Sequence, residues 1–92
     1  PAPTYGHQGI VVDILTQIRI FLKDNPIGEV RCAPIDVYFD ENNVLQPDIV
    51  FVSNQRSDIV RDDGIHGAPD MVIEILSPST AYYDIKIKKK NL

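Results

Sequence analysis

Two carboxylates stand in apolar surroundings. Asp48 opens the segment QPDIVFVS, and Glu74 lies inside GAPDMVIEILSPST, where Met71, Val72, Ile73, Ile75 and Leu76 read as a buried strand. An unpaired buried charge costs several kcal/mol, comparable with the whole stability of a small domain. Either a cation offsets Glu74 or its strand is less buried than it reads. If the strands holding Asp48 and Glu74 are neighbours, both side chains reach one hard cation such as Mg²⁺. That ion takes oxygen ligands from one or two carboxylates and keeps several waters. Asp70 shares Glu74's face, but four residues of strand put roughly 13 Å between them, too far for one ion. Asp48 is the favoured partner, and Asp70 reads as a residue that opens a strand. The bland alternative makes both Pro-Asp pairs turns and puts Glu74 on a solvated face. Val72 and Leu76 share that face with Glu74 and argue against it.

The run YYDIKIKKK supplies a cation. Read as a helix over residues 82–92, it has an inward stripe marked by Ile85 and Leu92, with Lys88 and Lys89 flanking it and Asp84–Lys88 as an i,i+4 surface pair. A lysine at such an edge also snorkels to solvent, and the rest of the run reads as a solvated face. His7 precedes the first helix in register with Val11 and Ile14, a place where a packed or capping histidine is commoner than a catalytic one. His66, in a glycine-flanked loop, carries less signal. Other chemistries lack their residues: the chain has no phosphate-binding G-x-x-x-x-G-K-[ST] loop, no H-E-x-x-H, no cysteine pair for zinc and no G-x-S-x-G elbow.

The elements that must position these groups follow from periodicity. Val11, Ile14, Leu15, Ile18, Phe21 and Leu22 recur at helical spacing from Gln8 to about Asn25, and Asp24-Asn25-Pro26 ends that helix. Glu29 to Phe39 alternates as a strand, with Pro34 marking an edge or a bulge. Asp40-Glu41-Asn42-Asn43 is turn chemistry. Ile49 to Val52, apolar throughout, is a central strand. Residues 53–67 read as a short helix and a loop ending at Gly64 and Gly67, followed by the strand that carries Glu74. Ser77-Pro78-Ser79-Thr80 is a strand-to-helix junction with Ser79 and Thr80 as caps. The predicted order is helix, strand, strand, loop, strand, helix: an α/β (α+β) mixed sheet with a hairpin and a crossover.

The 92 residues suffice for one small domain, and 43% hydrophobic with 24% charged residues is ordinary for a globular chain. A formal net charge of −4 argues against nucleic-acid binding by bulk electrostatics, though not against a locally basic groove. The single cysteine, Cys32, precludes an internal disulfide and is expected to be a buried thiol. No apolar run approaches the ~20 residues of a membrane span, so no membrane partner is expected and a cytoplasmic location is the default. Pro1 has no methionine before it, and Leu92 falls inside the predicted second helix. Residues 1–92 are therefore expected to be a single, truncated domain. A missing final strand would leave a sheet edge open, which predicts a homodimer or higher assembly.

The stretches QPDIVFVS, GAPDMVIEILSPST and YYDIKIKKK together resemble the endonuclease family catalogued as domain of unknown function 820 (DUF820). That family is a branch of the restriction-endonuclease-like PD-(D/E)XK superfamily. The resemblance runs from about His7 to Leu92, and the PD…VIEILSPST stretch is its specific part. It implies a restriction-endonuclease-like core, in the order helix, three strands, helix, strand, with the last strand lacking here. It also implies a metal-dependent DNA endonuclease that hydrolyses phosphodiester bonds. Asp48 matches the Pro-Asp acid and Glu74 the second acid. With the backbone carbonyl of Ile75 they would hold Mg²⁺, for which Mn²⁺ substitutes. The superfamily's lysine would stand two residues after the glutamate, where this chain has Leu76. Lys88, in the pattern D-x-x-x-K begun by Asp84, takes its role, and His7 matches a polar position at the start of the first helix. A second reading is a catalytically silent interaction or nucleic-acid-binding module on the same fold. A third pairs Glu74 with a core cation and needs no metal.

Overall fold

The computed structural model describes residues 2–76 and 83–90. Helix α1 (Tyr5–Asp24) begins at Thr4, whose side chain accepts a hydrogen bond from the His7 amide at 3.1 Å, an N-cap that satisfies one of the helix's free donors. It ends where Asn25 returns both its backbone and its side-chain N–H to the carbonyl of Phe21, one residue before Pro26. Its stripe of His7, Ile10, Val11, Ile14, Leu15, Ile18 and Leu22 packs on a sheet.

That sheet has the order β1-β4-β7-β8, with every neighbouring pair antiparallel: β1 (Gly28–Cys32), β4 (Ile49–Ser53), β7 (Met71–Leu76) and β8 (Asp84–Lys89). A second sheet has the order β3-β2-β6-β5, from β2 (Val37–Asp40), β3 (Asn43–Leu45), β5 (Val60–Arg61) and β6 (Gly64–His66). Its β2–β6 pair is parallel and the others antiparallel. One core lies between α1 and the first sheet, around Val11, Leu22, Val30, Ile49, Ile73 and Ile75. Val37, Val50, Val52 and Ile65 form another, which joins the two sheets. β4 feeds both cores because its two faces, Ile49/Phe51 and Val50/Val52, are both apolar. This explains the unbroken apolar run of its sequence.

The architecture is α+β, as expected of a restriction-endonuclease-like core, and the first helix, the 40–43 turn and the central β4 follow the sequence pattern. Four local expectations are corrected. The predicted helix over 82–92 is instead, at 84–89, the edge strand β8, hydrogen-bonded to β7. The reason is legible in Asp84-Ile85-Lys86-Ile87-Lys88, which alternates with period two; on a helix Ile85 and Ile87 would point to nearly opposite sides. Asp84 and Lys88 are therefore four strand positions apart and form no helical i,i+4 pair. The Glu29–Phe39 stretch is two strands in different sheets, divided at Pro34, whose bond to Ala33 is cis. The 53–67 segment is a 3-10 helix (Asn54–Ile59) followed by the β5–β6 hairpin. Cys32 is exposed, because it falls at the end of edge strand β1. The 77–80 junction with its caps lies outside the described residues.

Candidate active site

The two segments that carry Asp48 and Glu74 lie side by side. Their strands pair with Ile49 opposite Ile73 and Val50 opposite Val72. Extending that register by one position sets Asp48 opposite Glu74, and by two sets Pro47 opposite Ile75. Pro47 is fully buried and has no N–H to give the Ile75 carbonyl; the pairing stops at Ile49–Ile73, and both the carbonyl and the N–H of Ile75 take other partners. Two side chains supply them. Asp48 Oδ2 accepts the Ile75 N–H at 2.7 Å, and His7 Nε2 donates to the Ile75 carbonyl at 3.0 Å. His7 Nε2 also lies 3.3 Å from Asp48 Oδ2, which closes a triangle of side chain, side chain and backbone.

His7 is held from three sides. Thr4 Oγ1 caps its amide, Gln8 Oε1 meets its Nδ1 at 2.9 Å, and the Tyr83 ring lies edge-on with centroids 6.4 Å apart. The Tyr83 hydroxyl hydrogen-bonds Thr4 Oγ1 at 2.7 Å, tying the start of α1 to the residue before β8. A carbonyl only accepts, so Nε2 carries a proton and donates to Ile75 O. The Gln8 hydrogen bond, the Asp48 charge and the Ile75 carbonyl raise the pKa of His7, against burial that lowers it. Glu74 is also pushed up, first by burial and then by the negative charge of Asp48, while Lys88, Lys86 and His7 pull it down. Lys86 pairs with Glu74 across β7–β8 and Lys88 with Val72, so both cations share Glu74's face.

A comparison with protein-family models decides the kinship. The Uma2 model, described as "Putative restriction endonuclease", matches residues 1–91. The chain belongs to the Uma2 family. No curated protein matches it. Membership of Uma2 agrees with the kinship that the Pro-Asp and Glu74 motifs imply and supports a nuclease-like function.

The site can be tested for its fit to the divalent metal that restriction-endonuclease-like proteins generally use. Among the described residues, no three His, Cys, Asp or Glu side chains cluster closely enough to hold an ion by themselves. Two carboxylates and one carbonyl do suit Mg²⁺, which takes few protein oxygens and keeps water in the rest of its shell. Burial first and the Asp48 charge second raise Glu74's pKa, and a cation between the two acids would offset both. The donors fit a hard cation. His7 already spans two of them, Ile75 O and Asp48 Oδ2, with its Nε2.

Of the residues singled out from sequence, His7, Asp48 and Ile75 meet directly, and Glu74 and Lys88 lie on the adjoining face of β7–β8. Asp70 is elsewhere: its carboxylate accepts the Ser53 N–H at 2.7 Å, in keeping with a strand-opening role. His66 pairs with Asp63 at 2.7 Å and stacks on Tyr38, in the second sheet. Sequence reasoning missed Pro47, Gln8, Tyr83 and Lys86. Lys86 was findable from the period-two alternation that also places Lys88. Gln8 and Tyr83 act through contacts that no local pattern announces.

Proposed function

We propose that this Uma2 chain is a metal-dependent DNA endonuclease that hydrolyses phosphodiester bonds. The observation that supports the reading is the Asp48 carboxylate on the Ile75 N–H at the end of the β4–β7 ladder, with Glu74 the preceding residue of β7 and Lys88 on Glu74's face. Asp48, Glu74 and the Ile75 carbonyl would hold Mg²⁺ or Mn²⁺. Such an ion, when bound, polarises a scissile phosphate and makes a water a better nucleophile at neutral pH. The Lys88 ammonium faces the place where negative charge develops on the phosphate and stabilises it. Lys86, one strand position pair away, draws the DNA backbone to the same face. His7, through its bond to Ile75 O, orients the carbonyl and keeps the Asp48 carboxylate in place.

The silent-module reading draws support from the same triangle, because His7 Nε2 already donates to Ile75 O and lies beside Asp48 Oδ2. Plasmid nicking separates the two. The expected outcome is Mg²⁺- or Mn²⁺-dependent nicking by the parent protein and none by Glu74→Gln. Equal nicking by both places the activity at another site or in a contaminant, and no nicking with either metal favours the silent module. A single domain, a cytoplasmic location and a homodimer formed at the open edges β1 or β8 belong to this reading; no described helix is long and apolar enough to cross a membrane.

A further inference from the structure

Which form of DNA enters the site is written in the walls of its cleft. Glu74 and Lys88 line a cleft of about 700 Å³ between the first sheet and the β2–β3 hairpin. One wall is β8 with the residue that follows it: Lys86, Lys88, Lys89 and Lys90 line the cleft, and Lys86 and Lys88 lie on one face of the strand at alternate positions. Such positions repeat every ~6.8 Å, close to the phosphate repeat of a stretched nucleic-acid strand. The opposite wall, the β2–β3 hairpin, sets apolar side chains beside Asp40 and Asn43. Val37 is wholly buried in the core between the sheets, but Phe39, two residues further along the same face, is 43% exposed. Leu45, across the hairpin from Val37, is 49% exposed. Both line the cleft and face a row of ammonium groups.

Duplex DNA covers its base faces by stacking and presents phosphates and groove edges outward, so it offers Phe39 and Leu45 no free base face to stack on. A single strand offers charged backbone and bare base faces together. Cationic tracks beside aromatic platforms are how sequence-tolerant single-strand binders work. The volume points the same way, since clefts of about 300–1,000 Å³ enclose ligands of small-molecule size, a nucleotide or two of one strand and not two strands abreast. The acids present do not oppose this. Asp40 is tied into its own turn by the Asn42 N–H and the Asn43 side-chain amide, and Glu74 is outnumbered by the four lysines that line the same cleft, Lys86, Lys88, Lys89 and Lys90.

We propose that the cleft takes single-stranded or locally unpaired DNA, with phosphates along Lys86, Lys88 and Lys90 and a base against Phe39 and Leu45. The proposal rests on the nuclease reading for what happens to the strand, not for its binding. The test is fluorescence anisotropy of the protein with a labelled single-stranded oligonucleotide and with the same sequence as a duplex, in EDTA so that nothing is cut. The single strand is expected to bind more tightly. Phe39→Ala weakens it about 5- to 150-fold, the equivalent of one stacked base, and leaves duplex binding unchanged. Phe39→Leu, which keeps the apolar volume and drops the aromatic face, gives an intermediate loss and guards against a folding defect. Duplex binding as tight as single-strand binding overturns the proposal. So does single-strand binding untouched in both folded variants, or polyglutamate competing as well as the oligonucleotide, which would reassign the lysine row to generic polyanion contact. Nicking lost with single-strand preference intact removes only the nuclease reading; nicking intact without that preference removes only this proposal.

Discussion

The Asp48 carboxylate has a structural task that can be measured apart from any chemistry. It accepts the Ile75 N–H at 2.7 Å and faces His7 Nε2 at 3.3 Å, with its side chain 18% exposed. Asp48→Ala removes the acceptor that the Ile75 N–H uses. An orphaned buried N–H costs about 1–3 kcal/mol, and loss of a hydrogen bond to a charged group lies at the upper end of that range or above. We expect Asp48→Ala to cost about 3 kcal/mol. Asp48→Asn keeps an oxygen for Ile75 N–H and loses only the charge beside His7, which should cost about 1 kcal/mol. With a urea slope of about 1 kcal/mol/M for a chain of this size, the midpoints should fall by about 3 M and about 1 M. The measurement is urea unfolding in EDTA, with amide hydrogen exchange at Ile75 as the local readout. Protection of that amide should persist in Asp48→Asn and vanish in Asp48→Ala. Equal losses in the two variants, or an Ile75 amide still protected in Asp48→Ala, would refute the account of the ladder's end.

Two further outcomes follow from the electrostatics and the sheet edges. His7 and Glu74 both have raised pKa values, so each contributes stability that is fully present below its unfolded value, near 6.5 and 4.5, and is lost as pH rises through the folded value. In EDTA the melting temperature should therefore fall from about pH 5 to pH 8, and His7→Gln should flatten the upper part of that slope; a flat parent profile would contradict both shifts. The open edges β1 and β8 predict a dimer, which sedimentation at high micromolar concentration tests, and a monomer there ends that expectation.

Long elements with a consistent environment were easy to read. The α1 stripe announces itself by period, its end by Asn25-Pro26, and β4, which faces both cores, by an unbroken apolar run. Asp48 and Glu74 were conspicuous for a related reason: each carboxylate interrupts an apolar pattern. The second sheet was hidden because its strands are two to four residues long, too short to develop an alternation. β8 was misread because three consecutive lysines blur the two-residue period and lend it the look of a charged helix face. Partners distant in sequence, such as Ile75 for His7 and Thr4 for Tyr83, leave no local trace at all.

Pro47 deserves the last word on how the site comes to exist. A β-ladder is a zipper, and each tooth it closes removes one peptide group from use. At position 47 the zipper jams, for want of a single hydrogen atom. On β7 the N–H and C=O of Ile75, which belong to two successive peptide units, are held by the Asp48 and His7 side chains. A residue with an N–H at that position would invite the next tooth to close, dislodge His7 and bury the carbonyl in ordinary sheet. The proline of the Pro-Asp pair is thus the part that keeps a piece of backbone available for chemistry, and the aspartate beside it is the temporary clasp.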